Sequence, residues 1–308
     1  MNPPARDFQL VAAPYTPFDA GGELDLERVD GLARGLEADG VTGAFVAGST
    51  GEGLSLTTDE RRALAERWMK SAGGLRVIVH VGHASLREAQ ELARHAASIG
   101  AHATAAAPPS WYPLGSADAL LGVLAELASA APETPLLYYH IPALSGVHVP
   151  MAALAERART KLPSLAGIKY THLDPVDFQL CIREHGEALE FLWGMDEALL
   201  LGLGLGAHGA VGSTYNFIAP LYLRLFEAWR SGDHLRAQEL QSRSAQLVEV
   251  LARRGYMGSS KHVMGVRGRA CGPVRRPLES LDDGALESLQ QELRETGMLQ
   301  LLEEPDRA

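Results

Sequence analysis

Cysteine occurs only twice in 308 residues, as Cys181 and Cys271. Two thiols so far apart match no metal or redox spacing and build no disulfide framework, so a reduced, cytoplasmic setting is expected. Basic blocks are missing too, and the net charge is −10. That balance argues against nucleic acid or an anionic membrane surface as a partner, while a local site can still oppose the global field and take a small anion. No apolar run approaches the ~20 residues needed to cross a bilayer. Residues Met1 to Gln9 hold no basic stretch followed by an apolar core, so no export signal is expected. Lysine is nearly as scarce, with four in the chain: Lys70, Lys161, Lys169 and Lys261.

What is present is a regular alternation within a chain that is 46% hydrophobic and 21% charged. Short apolar runs at 10–13, 43–47, 77–81, 103–106, 135–139, 165–169, 190–193 and 209–212 read as buried strands. Longer amphipathic stretches separate them, at 24–38, from Thr57, then 85–99, 117–130, 150–157, 175–184, 197–203 and 218–229. Thr57 and Glu60 have the spacing of a capping box, and Asp174-Pro175 that of a helix start. Eight strand-helix units over about 230 residues predict an α/β protein, a (β/α)8 TIM barrel with a C-terminal helical extension. The expected domains are a catalytic barrel over residues 1–230 and a helical part over 231–308. A doubly wound sheet would want a Gly-rich turn joining an early strand to a helix. The glycines at 202–209 come late and precede a strand, so they read as a helix stop.

In a barrel of this kind, chemistry gathers at the carboxyl ends of the strands. Lys70 and Lys161 fall on the opposite side, and Lys261 in the helical part reads as a solvated or intersubunit charge. Lys169 alone ends a strand, Leu165-Ala-Gly-Ile-Lys169. An ammonium is costly to bury on such a strand, and desolvation favours the neutral, nucleophilic amine that a Schiff base requires. Tyr139 ends the preceding strand and is placed to shuttle protons to a bound substrate oxygen, given a neighbouring hydroxyl. After the second strand, Gly48-Ser49-Thr50-Gly51-Glu52-Gly53 can turn backbone N–H groups and two hydroxyls toward an anion. With no lysine or arginine in the loop, a carboxylate fits better than a phosphate.

Four segments together resemble the pyruvate-dependent class I aldolases, the family that holds dihydrodipicolinate synthase and N-acetylneuraminate lyase. They are Gly48 to Gly53, Tyr139-His-Ile-Pro-Ala-Leu-Ser-Gly146, Gly167-Ile-Lys169 and Gly209-Ala-Val-Gly-Ser-Thr-Tyr-Asn216. The likeness runs from about Leu10 to about Pro277, with the motifs in the family's order. It implies that Lys169 forms the Schiff base with the keto acid, so that no cofactor or metal is needed, and that Tyr139 is the acid/base. It further implies that Ser49 and Thr50 hold the pyruvate carboxylate, with Thr50 relaying protons. An aromatic from the loop at 108–113 would reach a neighbouring subunit's site in a homotetramer. Trp111 and Tyr112 compete for that place, and only Tyr112 could pass a proton.

The synthase branch carries an arginine two residues beyond the motif's proline to hold its aldehyde's carboxylate. Here that residue is Leu144, which cannot make a bidentate contact. The run from Tyr138 to Val147 resembles the sialic-acid lyase branch instead, as do Gly194, Asp196 and Glu197, whose two carboxylates would accept from vicinal hydroxyls. Thr171 and Ser213 would add polar contacts. The expected activity is cleavage of N-acetylneuraminate to pyruvate and N-acetylmannosamine; the alternative is a related pyruvate aldolase for another aldehyde or keto-deoxy sugar acid. Two other classes compete. A metal-dependent aldolase could use His80 and His83, but no third ligand is evident. A keto-acid sensor would need the anion loop but not the nucleophile.

Overall fold

In a computed structural model of the chain, residues 8–110 and 112–304 are described. Eight parallel strands close on themselves in chain order. They are β1 (Gln9–Ala12), β2 (Gly43–Val46), β3 (Arg76–His80), β4 (Ala103–Ala106), β5 (Leu136–His140), β6 (Leu165–Tyr170), β7 (Glu190–Trp193) and β8 (Gly209–Gly212). Around them run α1 (Arg28–Ala38), α2 (Thr58–Ser71), α3 (Leu86–Ser98), α4 (Ala117–Ser129), the short α5 (Pro142–Ser145), α6 (Met151–Lys161), α7 (Pro175–His185), α8 (Leu199–Leu205) and α9 (Tyr215–Ser231). Then follow α10 (His234–Ala252), α11 (Tyr256–Val266), α12 (Asp283–Glu295) and α13 (Met298–Glu303). Among the described residues no helix is long and apolar enough to cross a membrane.

Alternation along the strands makes two cores. Val11, Phe45, Ile78, Ala103, Leu137, Tyr139, Leu192 and Val211 fill the barrel, while a larger cluster lies between strands and helices. That outer core runs without a break into Leu240, Leu247, Val263, Leu289 and Leu301, so the last helices pack directly against the barrel's own helices. At the amino end the barrel is plugged by Arg76, whose guanidinium donates to Gln9 and Glu190, each at 2.8 Å. Glycine makes room for that plug: a Cβ on Gly167 would come within 2.4 Å of the Glu190 carbonyl, and one on Gly209 within 2.6 Å of the Gln9 carbonyl. The carboxyl end is thereby left for chemistry.

Most helix starts follow local rules. Thr57 and Glu60 form the expected reciprocal capping box, and Ser85, Ser116 and Asp174 each accept a first-turn N–H. Two expectations shift. The first helix begins at Arg28, not Leu24, because Leu24 pairs with Phe18 across a turn in which Asp19 Oδ1 accepts from Gly21 and Glu23 N–H. The helix after β8 begins at Tyr215, three residues before the expected Ile218, which is where it kinks. Its entry is pinned by Asn216, whose Nδ2 donates to the carbonyls of Ala13 and Ser213 at 2.7 Å.

The start of α6 is capped from outside. Pro150 offers no side-chain acceptor there, and the carboxylate of Asp177 on α7 accepts from Met151 N–H at 2.9 Å, Ala152 N–H at 3.1 Å and the Tyr170 hydroxyl at 3.0 Å. Asp177→Ala leaves the Met151 and Ala152 N–H groups without an acceptor, while the Tyr170 hydroxyl keeps the Asp174 carbonyl at 3.2 Å, and is expected to cost about 2 kcal/mol or more. Urea unfolding followed by circular dichroism should show a clearly lower midpoint, and an unchanged midpoint would refute the capping role.

Candidate active site

β6 sends Lys169 into the barrel, in register with Tyr139 on β5 and Leu192 on β7. The residue is only 4% exposed. Its Nζ lies 4.1 Å from the centre of the Tyr139 ring and 4.2 Å from that of Phe45, which reaches across from β2. Ring faces carry negative potential, so this shelf favours positive charge on the lysine nitrogen, whether in an ammonium or an iminium. Phe45 and Tyr139 in turn meet edge to face at 5.4 Å. Phe45 was not singled out by the sequence; its inward parity on β2 becomes meaningful only once the barrel closes.

The Tyr139 hydroxyl sits 3.3 Å from Ser49 Oγ. Of the two hydroxyls in the loop it is Ser49, exposed at the barrel mouth, that adjoins the phenol, and Thr50 is the half-buried next residue. The loop turns tightly, with Ala47 and Glu52 at φ of 57° and 52° and with Gly53 N–H donating to the Gly48 carbonyl at 3.0 Å. A Cβ on Gly53 would fall 1.9 Å from the Ala47 carbonyl oxygen, so only glycine closes this turn.

On the opposite side of the mouth, Thr171 and Gly194 touch. A Cβ on Gly194 would overlap Thr171 Oγ1 at 2.0 Å, and that buried hydroxyl has no protein partner. Glu197 is half-buried. Asp196 does not form a matched pair of free acceptors with it. Asp196 Oδ2 accepts from Thr214 N–H at 2.8 Å and Thr214 Oγ1 at 2.7 Å, and Oδ1 presses on Gly212, where a Cβ would meet it at 1.8 Å. Thr214 passes the chain on to Tyr222 and Ser244, and Gln241 Nε2 on α10 donates to the Asp196 carbonyl at 3.1 Å. Ser213 Oγ lies 2.6 Å from the Tyr256 hydroxyl of α11, so the helical extension reaches the site.

Lys261 is neither solvated nor exposed for a neighbour. Its Nζ lies 2.7 Å from Glu52 Oε1, with 2% and 0% of the two side chains exposed. The only signal for this in the sequence is a lone lysine among the small and apolar residues of α11. His80 and His83 do not converge as ligands: His80 Nε2 accepts from Ala107 N–H and His83 Nδ1 from Ser85 N–H. Burial, with Arg61 and Lys169 nearby, pushes His80 well below its ordinary value, so the ring is neutral. Among the described residues no group of three or more His, Cys, Asp or Glu could hold a metal. Tyr112 is 78% exposed between β4 and α4 and lies outside the enclosed site of its own chain, and Trp111 lies outside the described residues.

A closed parallel barrel with a buried lysine and a tyrosine at the carboxyl ends is the frame of a lysine aldolase. The family model of the dihydrodipicolinate synthetase family matches residues 8–296. N-acetylneuraminate lyase of Gallus gallus is 39% identical over 284 residues, covering 90% of this chain and 92% of that one. The Rattus norvegicus protein of the same name is 39% identical over 286 residues, covering 90% and 88%. Among solved structures, Proteus mirabilis N-acetylneuraminate lyase superposes with a TM-score of 0.91 at 35% identity, over 94% of this chain and 98% of that one. The chain belongs to the dihydrodipicolinate synthetase family, and with it to the class I aldolases, enzymes that make and break carbon–carbon bonds.

Burial raises Asp196 from 3.8 to about 6, against the lowering pull of Thr214. The folded state thus holds this proton more tightly than the unfolded chain, and the stabilisation is full below about pH 4 and lost as pH rises through about 6. Asp196→Asn should remove that dependence. Its stability relative to the unaltered protein is expected to climb by about 2–3 kcal/mol between pH 4 and 6.5. Melting curves across this range check it, and a constant difference would show that Asp196 is not the titrating group.

Proposed function

We propose that this chain is a Schiff-base pyruvate aldolase that cleaves N-acetylneuraminate to pyruvate and N-acetylmannosamine. The observation that carries the reading is the contact of Lys169 with Tyr139 inside the barrel, with Ser49 hydrogen-bonded to the phenol at 3.3 Å. Lys169 attacks the C2 ketone of the open-chain sugar acid, and loss of water leaves an imine. Its positive nitrogen, facing the Phe45 and Tyr139 rings, draws in the electron pair of the C3–C4 bond as that bond breaks. Tyr139 gives its proton to the water that leaves as the imine forms, with Ser49 as the adjacent relay group, and as phenolate accepts the C4 hydroxyl proton. N-acetylmannosamine leaves, Tyr139 returns that proton to C3 of the enamine, and water releases pyruvate. The imine is the electron sink, so the reaction as written needs no metal or cofactor.

Ser49 and Thr50 hold the keto-acid carboxylate together with the turned backbone of their loop. Thr171, Gly194, Glu197 and Ser213 line the path of the hydroxylated tail, and Asp196 acts behind them by fixing Thr214. Leu144 on α5 is 64% exposed and apolar, which disfavours an aldehyde carrying a second carboxylate and supports a neutral sugar aldehyde. The similarity to lyases of that name points the same way. The exposed Tyr112 suits an arm that enters a neighbouring subunit, so we read the working form as a homotetramer. Both cysteines are free and buried, in keeping with the cytoplasm.

Borohydride reduction with pyruvate and then with N-acetylneuraminate, followed by peptide mass mapping, tests this directly. A pyruvate-derived adduct is expected on Lys169 from both compounds and none in Lys169→Ala. An adduct from pyruvate alone would discard the sugar acid, and none on Lys169 would sink the mechanism. Tyr139→Phe is expected to lower kcat by about 10²–10⁴ in a coupled pyruvate assay. Near-normal turnover in that variant would remove the phenol from the proton path.

A further inference from the structure

The carboxylate of Glu52 is a meeting point for four segments of the chain. It belongs to the loop that carries Ser49 and Thr50, and Lys261 of α11 pairs with it at 2.7 Å. The segment after α11 adds Arg275 N–H, which donates to Glu52 Oε2 at 2.8 Å. The β1–α1 connection closes the set: Lys261 Nζ also donates to the Thr16 carbonyl at 2.8 Å and to the Pro273 carbonyl at 2.7 Å, over the ring of Phe18. Thr16 Oγ1 donates to the Gly51 carbonyl at 2.5 Å, returning to the same loop.

The loop needs such an anchor. Glu52 occupies the left-handed region at a φ of 52°, unfavourable for a residue with a Cβ, and its N–H donates to the Ser49 carbonyl at 3.0 Å. Whatever holds Glu52 therefore sets the position of Ser49. Burial pulls the Lys261 ammonium below its ordinary value and the Glu52 carboxylate opposes that pull, so each charge depends on the other.

We infer that Lys261 is a positioning residue for the substrate carboxylate: its ion pair with Glu52 ties the helical extension to the 48–53 loop and aims Ser49 and Thr50 at the ligand. The inference rests on the assignment of that loop to the keto-acid carboxylate. Without Lys261 the Glu52 charge is stranded in the interior, and the loop opens to bring it to water. Lys169, Phe45 and Tyr139 stand on strands and stay in place. Displacing Ser49 from the Tyr139 hydroxyl touches every ketone alike, whereas losing the carboxylate contacts touches pyruvate alone.

The test compares two ketones on the full-length protein, pyruvate and hydroxyacetone, the second having no carboxylate. Both are trapped on Lys169 by borohydride, and the readout is the ratio of their trapping efficiencies. In Lys261→Met the pyruvate preference is expected to fall about 10-fold or more, pyruvate trapping dropping further than that of hydroxyacetone, since displacements near 1 Å have effects of this order. Glu52→Gln with Lys261→Met strands no charge and keeps an acceptor for Arg275 N–H, so it should recover the preference to within about 3-fold. If Lys261→Met fails to fold, Glu52→Asp, which keeps both charges but shifts the loop, should lower the same ratio. Parallel loss of both ketones, or an unmoved ratio in Lys261→Met or, where that variant does not fold, in Glu52→Asp, overturns the inference. An unaltered protein with no preference for pyruvate overturns the carboxylate assignment and the inference with it.

Discussion

Closure of the parallel barrel is the constraint on which everything else depends. β1 pairs with β8 from Gln9 opposite Gly209 to Ala12 opposite Gly212, so strands some 200 positions apart in the chain become neighbours. Once closed, the sheet has no edge, and every second side chain must share one interior. At the amino end that interior takes the polar plug of Gln9, Arg76 and Glu190. At the carboxyl end it takes Phe45, Tyr139 and Lys169 from three different strands.

The two buried lysines show how surroundings divide roles. Lys261 gives its hydrogens to a carboxylate and two carbonyls, an arrangement that holds a charge still. Lys169 meets ring faces, which favour positive charge while leaving the nitrogen free to bond to carbon. The same side chain thus meets two unlike sets of neighbours, hydrogen-bond acceptors in one place and ring faces in the other. Nearby, Asp196 is held in a hydrogen-bonded chain with Thr214, Tyr222 and Ser244.

Much of the fold was legible before any coordinates. The strand positions follow from short apolar runs, and the caps at Thr57, Ser85 and Asp174 from local hydrogen-bonding chemistry. The misplaced start of α1 has an equally local cause, an Asp19 turn whose side chain competes with the helix. The site was legible where a motif is contiguous, as in Gly48 to Gly53 and Gly167 to Lys169. It was not legible where partners lie far apart: Lys261 is 209 positions from Glu52, and nothing in either segment names the other.

The sequence by itself determined the alternation of strands and helices, the single lysine at a strand's carboxyl end and the glycine-rich turn beside it, because backbone period, capping and turn chemistry act over a few residues. Tertiary structure decided which hydroxyl faces Tyr139, that Phe45 lies over the Lys169 nitrogen, that Asp196 faces Thr214, and that a lysine on an outer helix pairs with Glu52 of the 48–53 loop. Those are contacts between groups whose separation is set only when the barrel closes and the helical extension packs against it.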